Sequence, residues 1–499
     1  MLFTFDKKHR SMQIQHSPLF QQQAFVNGLF VPAQSGKDFP VYNPYDGSLL
    51  AKVADLGAAD THQAIQAASN AFQEWRLWTG TERAQVLRRW YELQIQHQED
   101  LAQILTLEQG KPLAEARGEV RYGASFVEWF AAEAQRNYGD TIPGHQRDKR
   151  ILVIRQAIGV VAAITPWNFP NAMITRKVAP ALAAGCTVLL KPATQTPLSA
   201  LALAVLANEA GIPPGVLNIL PCQDPVPVGL VLSQHPKIRK LSFTGSTRVG
   251  KLLLAQCAST VKRVSMELGG NAPFIIFDDA NLENAIAGAI QSKYRNAGQT
   301  CVCANRIFVQ KGIYPAFLEG FKKAVESLNL GNGMDPKVVV GPMIEEKALR
   351  FVEDLIEDAH HKGGQILCGG KRANNESKSL LFEPTIIGNA HRGMKLFSEE
   401  IFGPVAPIFP FTDEEEVIRL ANDTSYGLAA YFYSQNQARI WKVSEALEYG
   451  MIGINTGMIS TTLAPFGGIK ESGLGREGSK YGMHEYTEQK YMCMDIAPD

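Results

Sequence analysis

The chain has 499 residues, more than one hydrophobic core ordinarily supports, so two large domains are expected. An apolar content of 45% with 43 glycines suits an ordinary soluble globular protein. Lysine plus arginine and aspartate plus glutamate balance at 49 each, which excludes a global field toward nucleic acid or membrane and leaves charge recognition to local groups.

Residues 1–20 carry Lys7, Lys8 and Arg10 with no apolar stretch behind them, so no signal peptide is expected; Asp6 and the few arginines speak against a transit peptide. No apolar run reaches the roughly 18 residues a spanning helix needs. From about residue 60 to 137 apolar positions recur at three and four (Ala64, Ala67, Ala68, Ala71, Phe72, Trp75), a helical spacing. The polar stretch 139–150, with Pro143 and Gly144, reads as a connection. Beyond it the period changes. Short apolar runs at 158–164, 187–190, 216–220, 238–243 and 261–266 predict strands, and helical segments such as 171–184 and 197–210 lie between them. Strands alternating with helices imply a parallel sheet buried on both faces. A second set follows, with strands at 274–277 and 306–309 and helices at 282–296 and up to about 328. The reading is two α/β domains joined near residue 267. The seven cysteines are scattered and contain no CxxC pair, a pattern that suits a reducing cytoplasm.

Two motif matches are set aside. Gly473-Leu-Gly-Arg-Glu-Gly478 fits the dinucleotide fingerprint by letter, but glycine-rich, turn-like residues precede it where a strand is required. Gly245-Ser-Thr-Arg-Val-Gly-Lys251 nearly fits a P-loop, yet Leu252 stands where a hydroxyl should hold magnesium, which argues against an NTPase. The amides of a helix starting at Ser246 suit a dinucleotide pyrophosphate instead.

Three islands place reactive or polar side chains beside glycine or proline: Pro166-Trp-Asn-Phe-Pro170, Met266-Glu-Leu-Gly-Gly-Asn271 and Asn296-Ala-Gly-Gln-Thr-Cys301. Singly, Cys301 reads as a small core residue, Glu267 as a solvated strand-end charge and Asn168 as an Asx-turn. Together and in this order they resemble the aldehyde dehydrogenase superfamily. Lys191-Pro, Phe243-Thr-Gly-Ser246, Glu399-Glu-Ile-Phe-Gly-Pro404 and Pro465-Phe-Gly-Gly468 match as well, and the likeness runs from about Phe25 to Met494.

That resemblance implies an α/β fold: a Rossmann-like NAD(P)-binding domain (20–137 and 157–266), an α/β catalytic domain (267–466) and a small β oligomerisation extension (138–156 and 480–499). It implies that Cys301 attacks the aldehyde as thiolate. The Asn168 amide and the Cys301 N–H would hold the oxyanion, and Glu267 would act as general base. Hydride transfer to the nicotinamide would leave a thioester for water to open. Cofactor contacts are expected from Thr165, Pro166, Trp167, Lys191, Thr194, Gly229, Gly245, Ser246, Glu400 and Phe402, with Lys191 and Glu400 on ribose hydroxyls. No metal is expected.

Within the superfamily the chain looks most like succinate-semialdehyde dehydrogenases, through Met173-Ile-Thr-Arg-Lys177, Tyr294-Arg-Asn-Ala-Gly-Gln-Thr-Cys-Val-Cys303 and Ile459-Ser460. The likeness assigns Arg176, Arg295 and Ser460 to the substrate's distal carboxylate, with Phe169 and Phe466 lining the pocket. A guanidinium fork fits a carboxylate in a way lysine does not. Arg176 and Arg295 as surface charges are the alternative, and glutarate or 2-oxoglutarate semialdehyde are alternative substrates. The likeness also implies a cytoplasmic homo-oligomer, dimer or tetramer, in GABA degradation, and a reversible disulfide between Cys303 and Cys301 as an alternative to simple packing. In the family a lysine is often followed three residues later by glutamate, which repels a 2′-phosphate. Here the segment reads Lys191-Pro-Ala-Thr194, so NADP is expected to be preferred and NAD accepted. A helix-capping role for Thr194 is the alternative. Arg248, Pro225 and Pro227 depart from the usual pattern on the adenosine side.

Overall fold

The computed structural model describes residues 14–373 and 379–496; Lys7, Lys8 and Arg10, on which the signal-peptide reading turned, lie outside the described residues, as do 497–499. Five apolar runs form the parallel centre of an eight-stranded sheet, in the order Arg263–Glu267, Ile238–Thr244, Val160–Ile164, Thr187–Lys191 and Leu217–Ile219. Alternate residues along them enter different cores. Val161, Val188 and Leu190 join a core with Leu87, Trp90 and Phe126, while Val160, Ala162 and Leu189 join one with Ala64, Ile65 and Ala68 on the opposite face. Antiparallel strands flank this centre, Gly473–Leu474 on one side and Ala24–Val26 with Leu29–Val31 on the other. Val160–Ile164 is the first of the five in the chain yet lies in the middle. The winding therefore reverses between it and Ile238–Thr244, and a crevice opens at the carboxyl ends of that pair.

A second sheet has seven strands, in the order Gln365–Cys368, Thr385–Gly388, Val405–Phe411, Ala304–Gln310, Ala272–Ile276, Ala429–Tyr433 and Met451–Ile454. All neighbouring pairs are parallel except the first. Phe274, Ile276 and Ile307 face one core, and Ile275, Phe308 and Phe432 the other. Residues 268–271 lead from the first sheet into the second, and residues 455–472 lead back to Gly473–Leu474. The architecture is thus the expected α/β one, with a Rossmann-like sheet, a second α/β sheet and a small β sheet. Among the described residues no helix is long and apolar enough to cross a membrane.

The predicted helical stretch from 60 to 137 holds four helices, Ala58–Trp75, Gly80–Gln96, Gln98–Gln109 and Leu113–Ala134. Thr79 and Glu82 form a reciprocal cap on the second. Gly110, at φ +93°, ends the third where a Cβ would strike the rings of Pro342 and Pro44.

Two stretches differ from expectation. Residues 139–150 are not a plain connection: Asp140–Ile142 is a strand and Lys149–Ala157 begins another, paired with Thr487–Asp495 in a three-stranded sheet. That small sheet leaves Ile142, Tyr491 and Met494 exposed among charged neighbours such as Arg150, Glu488 and Lys490. The helix predicted to reach 296 ends at Tyr294, because Asn296 and Ala297 turn left-handed with φ of 52° and 54°.

Candidate active site

The carboxyl ends of the first sheet face the amino ends of the second, and the three sequence islands meet in that cleft. Residues 165–168 run on from Val160–Ile164, Gly245 follows Ile238–Thr244, and Glu267 ends Arg263–Glu267. From the other side Cys301 precedes Ala304–Gln310 and Glu400 precedes Val405–Phe411. A cavity of about 250 Å³ between them is lined by Trp167, Asn168, Gly245, Cys301, Glu400 and Phe402, with Pro166, Ser246 and Met173 beside them.

Cys301 sits at the cavity's inner wall, on a turn in which the Cys303 N–H donates to the Thr300 carbonyl at 3.0 Å. Gln299 anchors that turn: its side chain donates to the carbonyls of Asn296 and Pro342 and accepts the Ile344 N–H at 3.0 Å. Burial pushes the Cys301 thiol up to about 12; Arg176 and Arg295 oppose this, while Glu400 and Glu267 add to it. The resting nucleophile is therefore a thiol, and it needs a base. Asn168 is 4% exposed, and its amide donates one N–H to the Gln299 carbonyl at 3.1 Å. An NH₂ group has a second N–H, which is what an oxyanion requires.

Glu267 is 3% exposed, and neither of its carboxyl oxygens has a hydrogen-bond partner. Burial, and then the neighbouring Glu477, push its pKa well above the usual carboxylate range, against Arg176, Lys177 and Arg476. A carboxyl held this way takes up a proton at neutral pH far more readily than an exposed one.

Sequence reasoning missed Glu477. Its carboxylate meets Arg176 Nε and Lys177 Nζ, each at 2.5 Å, and all three side chains are buried. Lys177 also donates to the Ser242 hydroxyl at 3.1 Å. The available signal was two adjacent basic residues in an otherwise apolar, fully buried helix, Ala172–Ala184, which demand a buried acid somewhere. Their acid lies inside the GxGxxG string. That string is no cofactor loop: Gly473 pairs with Glu267, and a Cβ there would come within 2.1 Å of the Met266 carbonyl oxygen.

The two arginines expected at the substrate carboxylate are in different states. Arg176 is enclosed by Glu477, the Met173 sulfur and the Phe466 ring, 4.2 Å below its guanidinium, so its charge is already matched. Arg295 stacks over Phe169 at 5.2 Å and donates only to the Met458 sulfur at 3.0 Å. Among the described residues no carboxylate oxygen lies within 4.0 Å of Arg295. Neither arginine is a solvated surface charge of the kind the alternative supposed. Ser460 is half-buried, two residues beyond Met458.

On the expected cofactor side, the Thr165 and Thr244 hydroxyls are sealed without partners at the two strand ends where the winding reverses. A Cβ at Gly245 would strike the Phe243 ring at 2.4 Å, so the backbone stays bare in front of Ser246, which caps the eleven-residue helix Thr247–Cys257. Bare backbone, orphan hydroxyls and a helix N-terminus at a switch point fit a dinucleotide. Lys251, the would-be P-loop lysine, instead pairs with Glu471 in solvent at 2.7 Å. Glu400 accepts the Gly270 N–H at 2.9 Å, and burial raises its pKa to about 7. Trp167 meets Phe402 edge-on at 5.6 Å. Lys191 ends its strand and donates to the Pro192 carbonyl. Gly229 lies in the helix Pro225–Gln234, and a Cβ there would meet nothing within 4 Å. Thr194 does not cap the next helix. Thr196 holds the cap position, the first amides go to Glu108, and the Thr194 hydroxyl donates to the Cys222 carbonyl at 2.9 Å.

All seven cysteines are free. The Cys303 thiol is buried and directed at the Lys293 and Ala304 carbonyls, each at 3.5 Å. A disulfide with Cys301 requires it to leave both. Peroxide inactivation is therefore expected to follow oxidation of Cys301 alone and to be the same in Cys303→Ala. Thiol-reversible inactivation that is lost in that variant would establish the disulfide instead.

Residues 30–492 match the aldehyde dehydrogenase family. The chain is 57% identical to the NADP-dependent succinate-semialdehyde dehydrogenase of Escherichia coli K12, over 97% of this chain and 100% of that one. It is also 57% identical to the glutarate-semialdehyde dehydrogenase of Pseudomonas aeruginosa, over 97% and 99%. The crystal structure of an E. coli NADP-dependent enzyme superposes with a TM-score of 0.96 at 57% identity, over 97% and 100%. With this fold and with cysteine, glutamate and asparagine in one cleft, the chain belongs to the aldehyde dehydrogenase family and is an NAD(P)-dependent aldehyde dehydrogenase.

Proposed function

We propose that the enzyme oxidises a short ω-carboxy aldehyde to the dicarboxylate, taking both succinate semialdehyde and glutarate semialdehyde. One observation carries this reading: among the described residues the Arg295 side chain, close to the nucleophile's loop, donates only to a sulfur and touches no carboxylate, with Glu115 acting on it from further off, so its guanidinium has donors free for an anion. Relatives acting on the four- and five-carbon semialdehydes are equally similar to the chain, which favours neither. One methylene in a pocket changes selectivity by only about 1–3 kcal/mol. Steady-state kinetics on both semialdehydes and on an uncharged aldehyde of equal length test this. A preference for the uncharged aldehyde would refute it.

In this reading the Cys301 sulfur attacks the carbonyl carbon while Glu267 takes the thiol proton, and the free Asn168 N–H donates to the oxygen that becomes negative. NAD(P)⁺, when bound, accepts the hydride. Once Glu267 has released the thiol proton to solvent, its carboxylate removes a proton from the water that opens the thioester on Cys301.

NADP⁺ is the proposed preferred cofactor, with NAD⁺ accepted. Since the Thr194 hydroxyl is engaged with Cys222, the threonine acts here through the charge it lacks. The NADP-dependent E. coli relative supports the reading. Thr194→Glu is expected to move the kcat/KM ratio toward NAD by about tenfold, about 1.4 kcal/mol. An unchanged ratio would assign the choice to another residue.

A further inference from the structure

Lys111 lies between the helices Gln98–Gln109 and Leu113–Ala134 and is 2% exposed. Its ammonium donates to Glu119 Oε2 at 2.5 Å and to the backbone carbonyl of Asn168 at 2.7 Å, and it sits 3.8 Å from the centre of the Phe169 ring. The other Glu119 oxygen accepts the N–H groups of Asn171 at 2.9 Å and Ala172 at 3.2 Å, where the helix Ala172–Ala184 begins. One buried ion pair thus grips residues 168–172 at both ends, the lysine on a carbonyl and the glutamate on two amides. The Asn168 carbonyl has a second donor, the Asn296 side chain at 2.9 Å, which belongs to the loop leading to Cys301.

Stability alone does not account for this pair. Replacing a buried ion pair by apolar side chains of similar volume is often neutral or stabilising. What apolar side chains cannot do is aim a peptide carbonyl. The Asn168 side-chain amide projects from that same peptide, with one N–H committed to Gln299 and its own oxygen sealed and unpartnered. Where the second N–H points therefore depends on how the 168–169 peptide is held, and a displacement near 1 Å costs about 10²-fold in rate.

We infer that Lys111 is a positioning residue for the reaction: it orients the Asn168 amide through the Asn168 carbonyl, with Glu119 as its counter-anchor. The inference rests on Asn168 being the oxyanion donor. It is tested with a double variant, Lys111→Met with Glu119→Gln, which removes both members of the ion pair together, measured in the wild-type and Asn168→Ala backgrounds. In the wild-type background kcat is expected to fall about 10- to 100-fold. KM for NADP⁺ and the rate of Cys301 alkylation by iodoacetamide are expected to stay unchanged, because neither uses the oxyanion donor. In the Asn168→Ala background the same two changes are expected to cost less than about twofold, since residues acting through one group are not additive. Losses that multiply, or a changed KM and alkylation rate, overturn the inference and make the pair general scaffolding. An Asn168→Ala enzyme with normal kcat overturns the oxyanion reading itself, a separate outcome. If the double variant gives no cooperative melting transition, Glu119→Gln alone is read in the same way: its kcat loss is expected to vanish in the Asn168→Ala background, and no loss, or one that multiplies, overturns the inference.

Discussion

Cys301→Ala is expected to lower aldehyde oxidation by roughly 10⁴-fold or more while NADP⁺ still binds. No other thiol can take over, because Cys303 is turned toward two carbonyls away from the cavity and the remaining cysteines lie elsewhere in the fold. Cofactor binding survives because its expected contacts are mostly ends of the first sheet, whereas Cys301 belongs to the second. Near-normal turnover in this variant would refute the mechanism. Glu267→Gln gives the pH dependence. A carboxyl with a raised pKa is protonated, and useless as a base, at low pH; as pH rises through that pKa it loses its proton and becomes competent. The rate of Cys301 alkylation is therefore expected to climb with pH across the ionisation of Glu267 in the wild type. In Glu267→Gln the climb should move toward the thiol's own range near 12. The same variant should form NADPH slowly from the first turnover at neutral pH, because the thiol and the water both lack their base. An unchanged alkylation profile would show that Glu267 does not take the thiol proton.

The second large effect belongs to Arg295. Arg295→Leu is expected to cost a carboxy aldehyde roughly 2–5 kcal/mol in transition-state binding, and an uncharged aldehyde of equal length little. Arg176→Leu should behave otherwise. It strands part of the Glu477 charge in a sealed site, so the melting temperature should fall and both substrates should suffer together. Equal losses on both aldehydes in Arg295→Leu would remove the carboxylate clamp from consideration. Kinetics on the two substrates and a melting curve for each variant separate the cases.

The chemistry was legible in the sequence because it is carried by short strings. Cys301, Glu267 and Asn168 each sit in an island of glycine and proline, and the strands around them announce themselves by apolar runs. What was not legible is long-range. Lys177 and Glu477 are 300 residues apart, and Lys111 and Asn168 are 57 apart; no local pattern joins either pair. The early end of the helix at Tyr294 escaped for another reason. Asparagine tolerates a left-handed backbone, but Ala297 does not prefer one, and the bonds that pin its neighbour Asn296 run to Glu115, Asn168 and Gln299, two of them far along the chain. The polar stretch 139–150 hid a strand because its partner, Thr487–Asp495, lies far along the chain. The second sheet's use of its amino ends also ran against the usual habit of α/β sites.

The pairing of Arg176 and Lys177 with Glu477 has a consequence for biosynthesis. A ribosome delivers residues one after another, and these two cations emerge 300 residues before the carboxylate that neutralises them. At about 5–20 residues per second that gap lasts roughly 15–60 s. Throughout it the helix that must carry both charges into the interior lacks its direct ion-pair partner, and the edge strand Gly473–Leu474 that closes the sheet beside Glu267 has not been made. Cys301 is translated well within this interval. The nascent chain thus acquires its nucleophile long before it can seal the environment of its base, which waits for Gly473–Leu474 to join the first sheet and bring Glu477 in behind it.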